Sequence, residues 1–261
     1  MTDTNPIVIK IGGHEINDHD FLSGLAAAVR DYPAPVVIVH GGGVEISDMQ
    51  KIMGIDPQYV DGVRVTDAAS LKVVEMVLCG VVNKRLVRYL VDVNVEAVGL
   101  SGVDRGIVKA NKMQHAEQDM GYTGSVAHVR GETIKTMLEQ GLTPVIAPVS
   151  MGSDAPVSYN VNADHVAGAV AAAIGADRVV FITNVPGVLV DGEAQSLLDV
   201  DAAHALIDDG TIFGGMIPKV KTALHTVEDG VPEAVITNLA GLVAGTGTTF
   251  VNRQVAEIKS A

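Results

Sequence analysis

Two short runs constrain this chain more than anything else in it: IVIKIGG at 7–13 and VVIVHGGG at 36–43. Each is dominated by β-branched residues, has the length of a buried strand, and stops at glycines. Similar apolar runs at 95–100, 144–149 and 178–184, with shorter ones near 107–110 and 234–237, predict further strands. Between them, apolar residues recur at helical spacing over 19–31, 43–53, 67–92, 131–140, 162–174, 200–209 and 215–229. Strand alternating with helix predicts an α/β fold with an open, mostly parallel central sheet. Thr66 and Asp67 mark one helix start, residues 162–164 another, and Gly80 is where the long 67–92 segment can kink or divide. Residues 101–130 are less regular and read as hairpins over a pocket. A soft division near 175 separates an N-terminal lobe, 1–175, from a C-terminal lobe, 176–261, although a continuous sheet can cross it.

Composition narrows the function. The 261 residues suffice for one large α/β domain or two lobes, and 48% hydrophobic content fits a well-filled core. No apolar stretch is long and uncharged enough to span a bilayer, and the opening MTDTNP lacks the pattern of a secretory signal. Cys79 is the only cysteine, so no internal disulfide forms; within VVEMVLCGVV it reads as a packed thiol rather than a nucleophile. These features favour the cytoplasm. A net charge of -13 with 3% aromatic residues is a poor match to nucleic acid or an anionic membrane. Any phosphate ligand therefore needs cations gathered locally.

Lys10 is the first such cation. Burying an ammonium inside a strand is costly unless an anion meets it. In open α/β sheets ligands bind beyond the carboxyl ends of the strands, where both glycine clusters sit. Glycines there let backbone N–H groups approach a phosphate closely. Tight turns alone would explain either cluster; two clusters, one adjoining an in-strand lysine, favour phosphate. The P-loop pattern is absent, and the dinucleotide fingerprint fails because Ile46 stands where a third glycine belongs after Gly41 and Gly43.

Three further clusters carry chemistry. In GVRVTD, 62–67, Arg64 can fork onto a carboxylate, although a lone arginine is more often a surface residue. In YNVNADH, 159–165, Asn160 and Asn162 can donate to a ligand and Asp164 can orient cations; a helix cap with a first-turn carboxylate explains them equally well. In DGTIFGGMIPKVKTA, 209–223, Lys219 and Lys221 lie in the first turns of a helix, where the dipole disfavours cations. That placement makes sense if one of them leans out to a polyphosphate, and otherwise both are solvated. Of eight histidines, His14, His40 and His165 sit beside these motifs. None pairs at a metal-binding spacing, so no protein-held metal site is expected.

KIGG, VHGGG, GVRVTD, EMVLCGVVNKRLV, YNVNADH, NVPGVL and DGTIFGGMIPKV follow one another between about residues 6 and 251. In this order and spacing the chain resembles the amino acid kinase family, and within it the branch that phosphorylates N-acetyl-L-glutamate for arginine biosynthesis. The resemblance implies a three-layer α/β/α sandwich. Its N-terminal lobe would bind the acyl amino acid and form a homodimer; its C-terminal lobe would bind ATP with Mg²⁺. Lys10 and Lys219 would stabilise the transition state, with Asp164 holding both. Gly12, Gly13, Gly42 and Gly43 would offer N–H groups to the phosphoryl group and substrate. Arg64, Asn160 and Asn162 would grip the substrate. Thr183, Asn184, Val185, Gly187 and Val188, with Thr211, Ile212 and Phe213, would border the nucleotide. The acceptor carboxylate, with a pKa of roughly 4.3, is already ionised at neutral pH and needs no general base.

Some residues depart from the pattern. Asn184 stands where many relatives have aspartate, and Arg105 in SGVDRG replaces a commoner glycine, so that turn is open to difference. GYTGSV, 121–126, is similar to a sister branch that phosphorylates aminoadipate or glutamate on a small acidic carrier protein, a partner that the chain's own acidity disfavours. A non-catalytic amino acid or nucleotide sensor would lose its charged groups first, yet Lys10, Asp164 and Lys219 are present. Arginine-inhibited relatives carry an extra helix before the first strand; its lack here implies an arginine-insensitive homodimer.

Overall fold

The computed structural model describes residues 4–252. The first three residues of the MTDTNP opening and residues 253–261 of the C-terminal lobe lie outside the described residues.

Eight strands form the central sheet, in the order Leu197–Asp199, Thr248–Val251, Glu233–Thr237, Arg178–Ile182, Ile7–Ile11, Val36–His40, Thr143–Ala147 and Ala97–Ser101. Every neighbouring pair is parallel except Glu233–Thr237 with Thr248–Val251. Ile7–Ile11 lies in the middle, with Ile7 opposite Arg178 on one side and Val36 on the other. The sheet therefore runs unbroken across residue 175.

Alternation along the strands sorts the side chains into two cores. Ile7, Ile9 and Ile11 join Val36 and Ile38 in a core with buried residues of the His19–Arg30 and Asn83–Asp92 helices. Val8, Val37 and Val39 face the opposite core, which holds the buried faces of Ala163–Ile174 and Met216–Glu228. The result is a three-layer α/β/α arrangement. Successive side chains of a strand point to opposite faces, so Lys10, two residues after Val8, emerges toward those last two helices.

Local chemistry fixes the helix ends. Asp18, Asp67 and Asn162 cap their helices by accepting from Phe21, Ser70 and Asp164 backbone N–H groups at 2.9, 2.7 and 2.8 Å. The 67–92 segment is not broken at Gly80. It runs as Ala68–Glu75, a π-helical stretch Met76–Val82 and Asn83–Asp92, with the Asn83 N–H bonded to the Leu78 carbonyl. The expected division is thus a one-residue widening of a continuous helix. Within 101–130, Val108–Lys112 and Thr123–Val129 pair antiparallel and, with Val149–Gly152 and Ser158–Val161, close a small barrel. A hairpin of Gln58–Val60 and Val63–Val65 carries Arg64. No helix among the described residues is long and apolar enough to cross a membrane.

The SGVDRG turn keeps a glycine-like backbone without the glycine: Arg105 has φ 55° and ψ 12°, and its carbonyl accepts from Arg130 Nη1 at 2.8 Å. A left-handed residue with a Cβ is strained, while glycine gives back part of that gain as chain entropy. Arg105→Gly is therefore expected to raise stability by about 0.5–1 kcal/mol in urea unfolding; a destabilised variant would show that the arginine side chain outweighs the backbone strain.

Candidate active site

The carboxyl ends of the three central strands converge on Lys10. Its Nζ pairs with Asp164 Oδ1 at 2.8 Å, the two side chains being 18% and 27% exposed. Asp164 lies in the first turn of Ala163–Ile174, immediately behind the Asn162 cap. The two sequence readings of YNVNADH are thus compatible, since Asn162 caps the helix that presents Asp164. Gly12 has to be small for this geometry, because a Cβ there would lie 2.9 Å from Lys10 Nζ.

Lys219 reaches the same region from Met216–Glu228, but not to Asp164. Its Nζ donates to Thr183 Oγ1 at 2.8 Å, and Thr183 Oγ1 donates to Asn184 Oδ1 at 3.2 Å. The expectation that Asp164 holds both lysines is corrected in this respect: it ion-pairs with Lys10, while a neutral hydroxyl at the end of the Arg178–Ile182 strand holds Lys219. Of the two lysines flagged in that helix, Lys219 is half-buried and turned inward, whereas Lys221 is exposed.

Lys10 is shared by two cavities. One, of about 140 Å³, is lined by Lys10, Asp164, Thr183, Lys219 and Thr222 together with Phe181, Ile182 and Ile236. The other, of about 220 Å³, extends from Lys10 past Gly12, Gly13, Gly42 and Gly43 to Arg64, Asn160 and Asn162. Arg64 is only 8% exposed. It donates to Gln50 Oε1, to the Gly43 carbonyl at 3.0 Å and to Ser47 Oγ at 2.8 Å, and its guanidinium lies 4.8 Å from the Tyr59 ring centre. Burial pulls its pKa below the ordinary arginine value, yet the group stays cationic. A buried cation whose hydrogen-bond partners are all neutral suits an anionic ligand. Asn160 Nδ2 donates to Thr66 Oγ1 at 3.0 Å, which leaves its Oδ1 for a ligand donor. Thr123 Oγ1, from GYTGSV, donates to the Arg64 carbonyl. That segment therefore braces the Arg64 hairpin.

The proposed nucleotide border is less uniform. Asn184 is exposed and Phe213 is 75% exposed, while Thr183, Val185 and Thr211 are half-buried. Val188 and Ile212 belong to the hydrophobic core, so their side chains face away from any ligand there. Gly187 has φ 157°, and a Cβ on it would lie 2.6 Å from Thr248 Oγ1. Thr66, read in the sequence only as a helix start, supports Asn160, and Gln50, Ser47, Tyr59 and Asn83 support the site without having been singled out. They are ordinary helix or strand residues in sequence, and only tertiary folding gives them partners. The His14 side chain lies outside the described residues. His165 is exposed, beside His225. His40 is fully buried, and burial pushes its pKa down to about 4.

The sequence profile of the amino acid kinase family matches residues 5–238. This chain belongs to the amino acid kinase family. It is 48% identical over 255 residues to an acetylglutamate kinase of Roseiflexus sp. (strain RS-1), covering 97% of this chain and 95% of that protein. It is 45% identical over 249 residues to an acetylglutamate kinase of Methanopyrus kandleri, covering 92% and 98% of the two chains. Among solved structures it resembles smu.665 from Streptococcus mutans UA159, with a TM-score of 0.79, 32% identity, and coverage of 94% and 98%. The protein is an enzyme, a kinase, and the family uses ATP. Its site joins cations from separate elements around two adjoining cavities, an arrangement able to hold two anionic reactants end to end.

Two measurements follow from this geometry. Thr183→Val removes the acceptor that holds Lys219 and is expected to lower turnover by about tenfold, one factor of ten per 1.4 kcal/mol, while Thr183→Ser keeps most of it; equal loss in both would show that the hydroxyl is not what matters. The folded state keeps His40 neutral well below 6.5, so the unfolded chain binds this proton first as pH falls. The stability tied to His40 is full above about pH 6.5 and shrinks by about 2 kcal/mol between pH 7 and pH 5. His40→Asn should flatten that part of the urea-midpoint profile; a profile as steep as the wild type's would contradict it.

Proposed function

We propose that this kinase transfers the γ-phosphoryl group of ATP to the side-chain carboxylate of N-acetyl-L-glutamate, in arginine biosynthesis. The observation that carries the reading is the pair of cavities sharing Lys10, one ending at Lys219 and the other at the buried Arg64. The relatives named acetylglutamate kinase support the substrate.

In this reading Arg64 forks onto the α-carboxylate of the acceptor and Asn160, with Asn162, meets its acetylamino group. The side-chain carboxylate then points at Lys10. A carboxylate oxygen attacks the γ-phosphorus, a new O–P bond forms, the bond to the β-phosphate oxygen breaks, and ADP leaves with that electron pair. No proton has to be removed. The barrier lies in bringing two anions together, so positioning and charge neutralisation dominate. Lys10 and Lys219 flank the group in transfer, and the N–H groups of Gly12, Gly13, Gly42 and Gly43 supply donors. Asp164 aims Lys10 and offsets part of its charge before substrate arrives.

Mg²⁺ fits as a companion of the nucleotide. Among the described residues no group of three or more histidine, cysteine, aspartate or glutamate side chains could hold a metal by itself. Magnesium commonly binds through substrate phosphates with at most one or two carboxylates. Asp164 is the carboxylate nearest to hand. The acyl amino acid would sit in the 1–175 lobe and the nucleotide on the 176–261 lobe, beside Thr183, Asn184 and the loop at 211–213. A homodimer through the N-terminal lobe, in the cytoplasm, completes the reading; Met76 and Val81 on the long helical segment are exposed apolar residues available for it.

An ADP-release assay with free N-acetyl-L-glutamate should give turnover; none with the free acid, but turnover with a carrier-linked acid, would move the assignment to the sister branch. Lys10→Ala and Lys219→Ala should each lower kcat by about 10²-fold or more, as loss of one transition-state donor does. Arg64→Ala should chiefly raise KM for the acceptor, and an unchanged KM would remove it from the acceptor site.

A further inference from the structure

The stretch EMVLCGVVNKRLV gives the site just described only the apolar Leu78 side chain, and His40 is not among the residues that line it. The two meet behind it. His40 is fully buried, and Asn83 Nδ2 lies 3.1 Å from His40 Nε2. Which atom donates follows from neighbours that have no choice. Val145 offers a carbonyl oxygen, only an acceptor, 2.9 Å from Asn83 Nδ2. Lys84 Nζ, only a donor, stands 3.1 Å from Asn83 Oδ1. These contacts orient the amide; its nitrogen cannot accept and shares its two hydrogens among His40 Nε2, the Val145 carbonyl and, at 3.3 Å, the Leu100 carbonyl, so Nε2 is the acceptor. The single proton of a neutral imidazole then sits on Nδ1, which donates to the Gly41 carbonyl at 2.9 Å.

The consequence reaches the cavity through one peptide bond. A trans peptide directs its C=O and N–H oppositely, and no cis peptide occurs among the described residues. Drawing the Gly41 carbonyl to His40 turns the Gly42 N–H away from His40, and Gly42 lines the cavity with Gly12, Gly43 and Arg64. The same helical stretch closes over the turn. Gly42 has φ 155°, and a Cβ on it would lie 2.7 Å from Leu78 Cδ2 and 3.2 Å from Val82 Cγ2. The π-helical stretch thus presents Leu78 and Val82 to Gly42, and Asn83, the residue that follows it, meets His40. Asn83 itself fits because Gly99 has no side chain; a Cβ there would fall 2.0 Å from Asn83 Oδ1.

We propose that His40, oriented by Asn83, is a positioning residue: as a neutral imidazole protonated on Nδ1 it fixes the Gly41–Gly42 peptide so that the Gly42 N–H donates to the phosphoryl group in transfer. This rests on the reading of the Lys10–Arg64 cavity as the acceptor site and adds the device that keeps its glycine turn aimed.

The test compares two variants that divide the functions of the ring. His40→Asn keeps a donor where Nδ1 stood, and His40→Gln keeps a polar group where Nε2 stood but none at Nδ1. His40→Gln is expected to lower kcat by about 30-fold or more with little change in KM for either substrate, and His40→Asn to lower it by no more than about threefold. Thermal midpoints should fall by similar amounts in both. Equal losses of kcat in the two variants, or losses that simply track the thermal midpoints, would overturn the proposal. Nitrogen-15 NMR of the wild-type protein gives an independent reading: a protonated Nδ1 with an unprotonated Nε2 supports it, and the opposite tautomer overturns it even if neither variant folds. The tautomer is read without substrate, so absent turnover on N-acetyl-L-glutamate would count against the functional reading and leave this measurement standing.

Discussion

The contact between Lys10 and Asp164 joins the middle strand of the sheet to the helix layer over it, and the site is arranged around that contact. Alternation along Ile7–Ile11 decides the face on which Lys10 emerges, and the Asn162 cap decides where the facing helix starts. A half-buried ammonium has a desolvation cost that one carboxylate offsets only in part. What remains is a surplus. Three cations, Lys10, Lys219 and Arg64, and one anion, Asp164, line the paired cavities, so positive charge is in excess there. A chain of net charge -13 thus keeps a local cationic seat, which the proposed function fills with two anionic reactants.

The two ends of that seat differ in construction. At the acceptor end, Arg64 is locked by Gln50, Ser47 and the Gly43 carbonyl, and Thr123 and Thr66 brace the strands beside it. The glycine turn is held from behind by a fully buried histidine. Little has to be ordered there when substrate arrives. At the nucleotide end Lys219 rests on a neutral hydroxyl, and Asn184 and Phe213 are exposed. A hydroxyl releases a lysine more readily than a carboxylate does, so Lys219 is free to move onto a phosphate. Asn184 is uncharged and keeps that hydroxyl contact neutral.

Much of this was legible in the sequence, for identifiable reasons. Buried parallel strands read as unbroken apolar runs, so Ile7–Ile11, Val36–His40 and Arg178–Ile182 were visible, and the glycines after the first two marked the ligand end. The barrel was not visible as a barrel, because Val149–Gly152 and Ser158–Val161 are four residues long and lack a clean alternation. Gly80 signalled a disturbance in the long helix but could not say that the disturbance widens it. Asp164 and its pairing with Lys10 were anticipated, whereas the contact of Lys219 with Thr183 was not, since those two are 36 residues apart and only the fold brings them together. Val188 and Ile212 each sit in a segment expected to border the nucleotide, and their side chains pack into the core, which position in a motif does not reveal.

The central claim is that one phosphoryl group is held between Lys10 and Lys219 while Arg64 anchors the acceptor. A crystal structure of the protein with MgADP, aluminium fluoride and N-acetyl-L-glutamate tests it most directly. The account predicts the fluoride group within hydrogen-bond distance of both lysine Nζ atoms and of the Gly42 N–H, with the acceptor's α-carboxylate on Arg64. A complex in which the acceptor or the fluoride group lies outside these two cavities, or in which Arg64 meets no carboxylate, would contradict it.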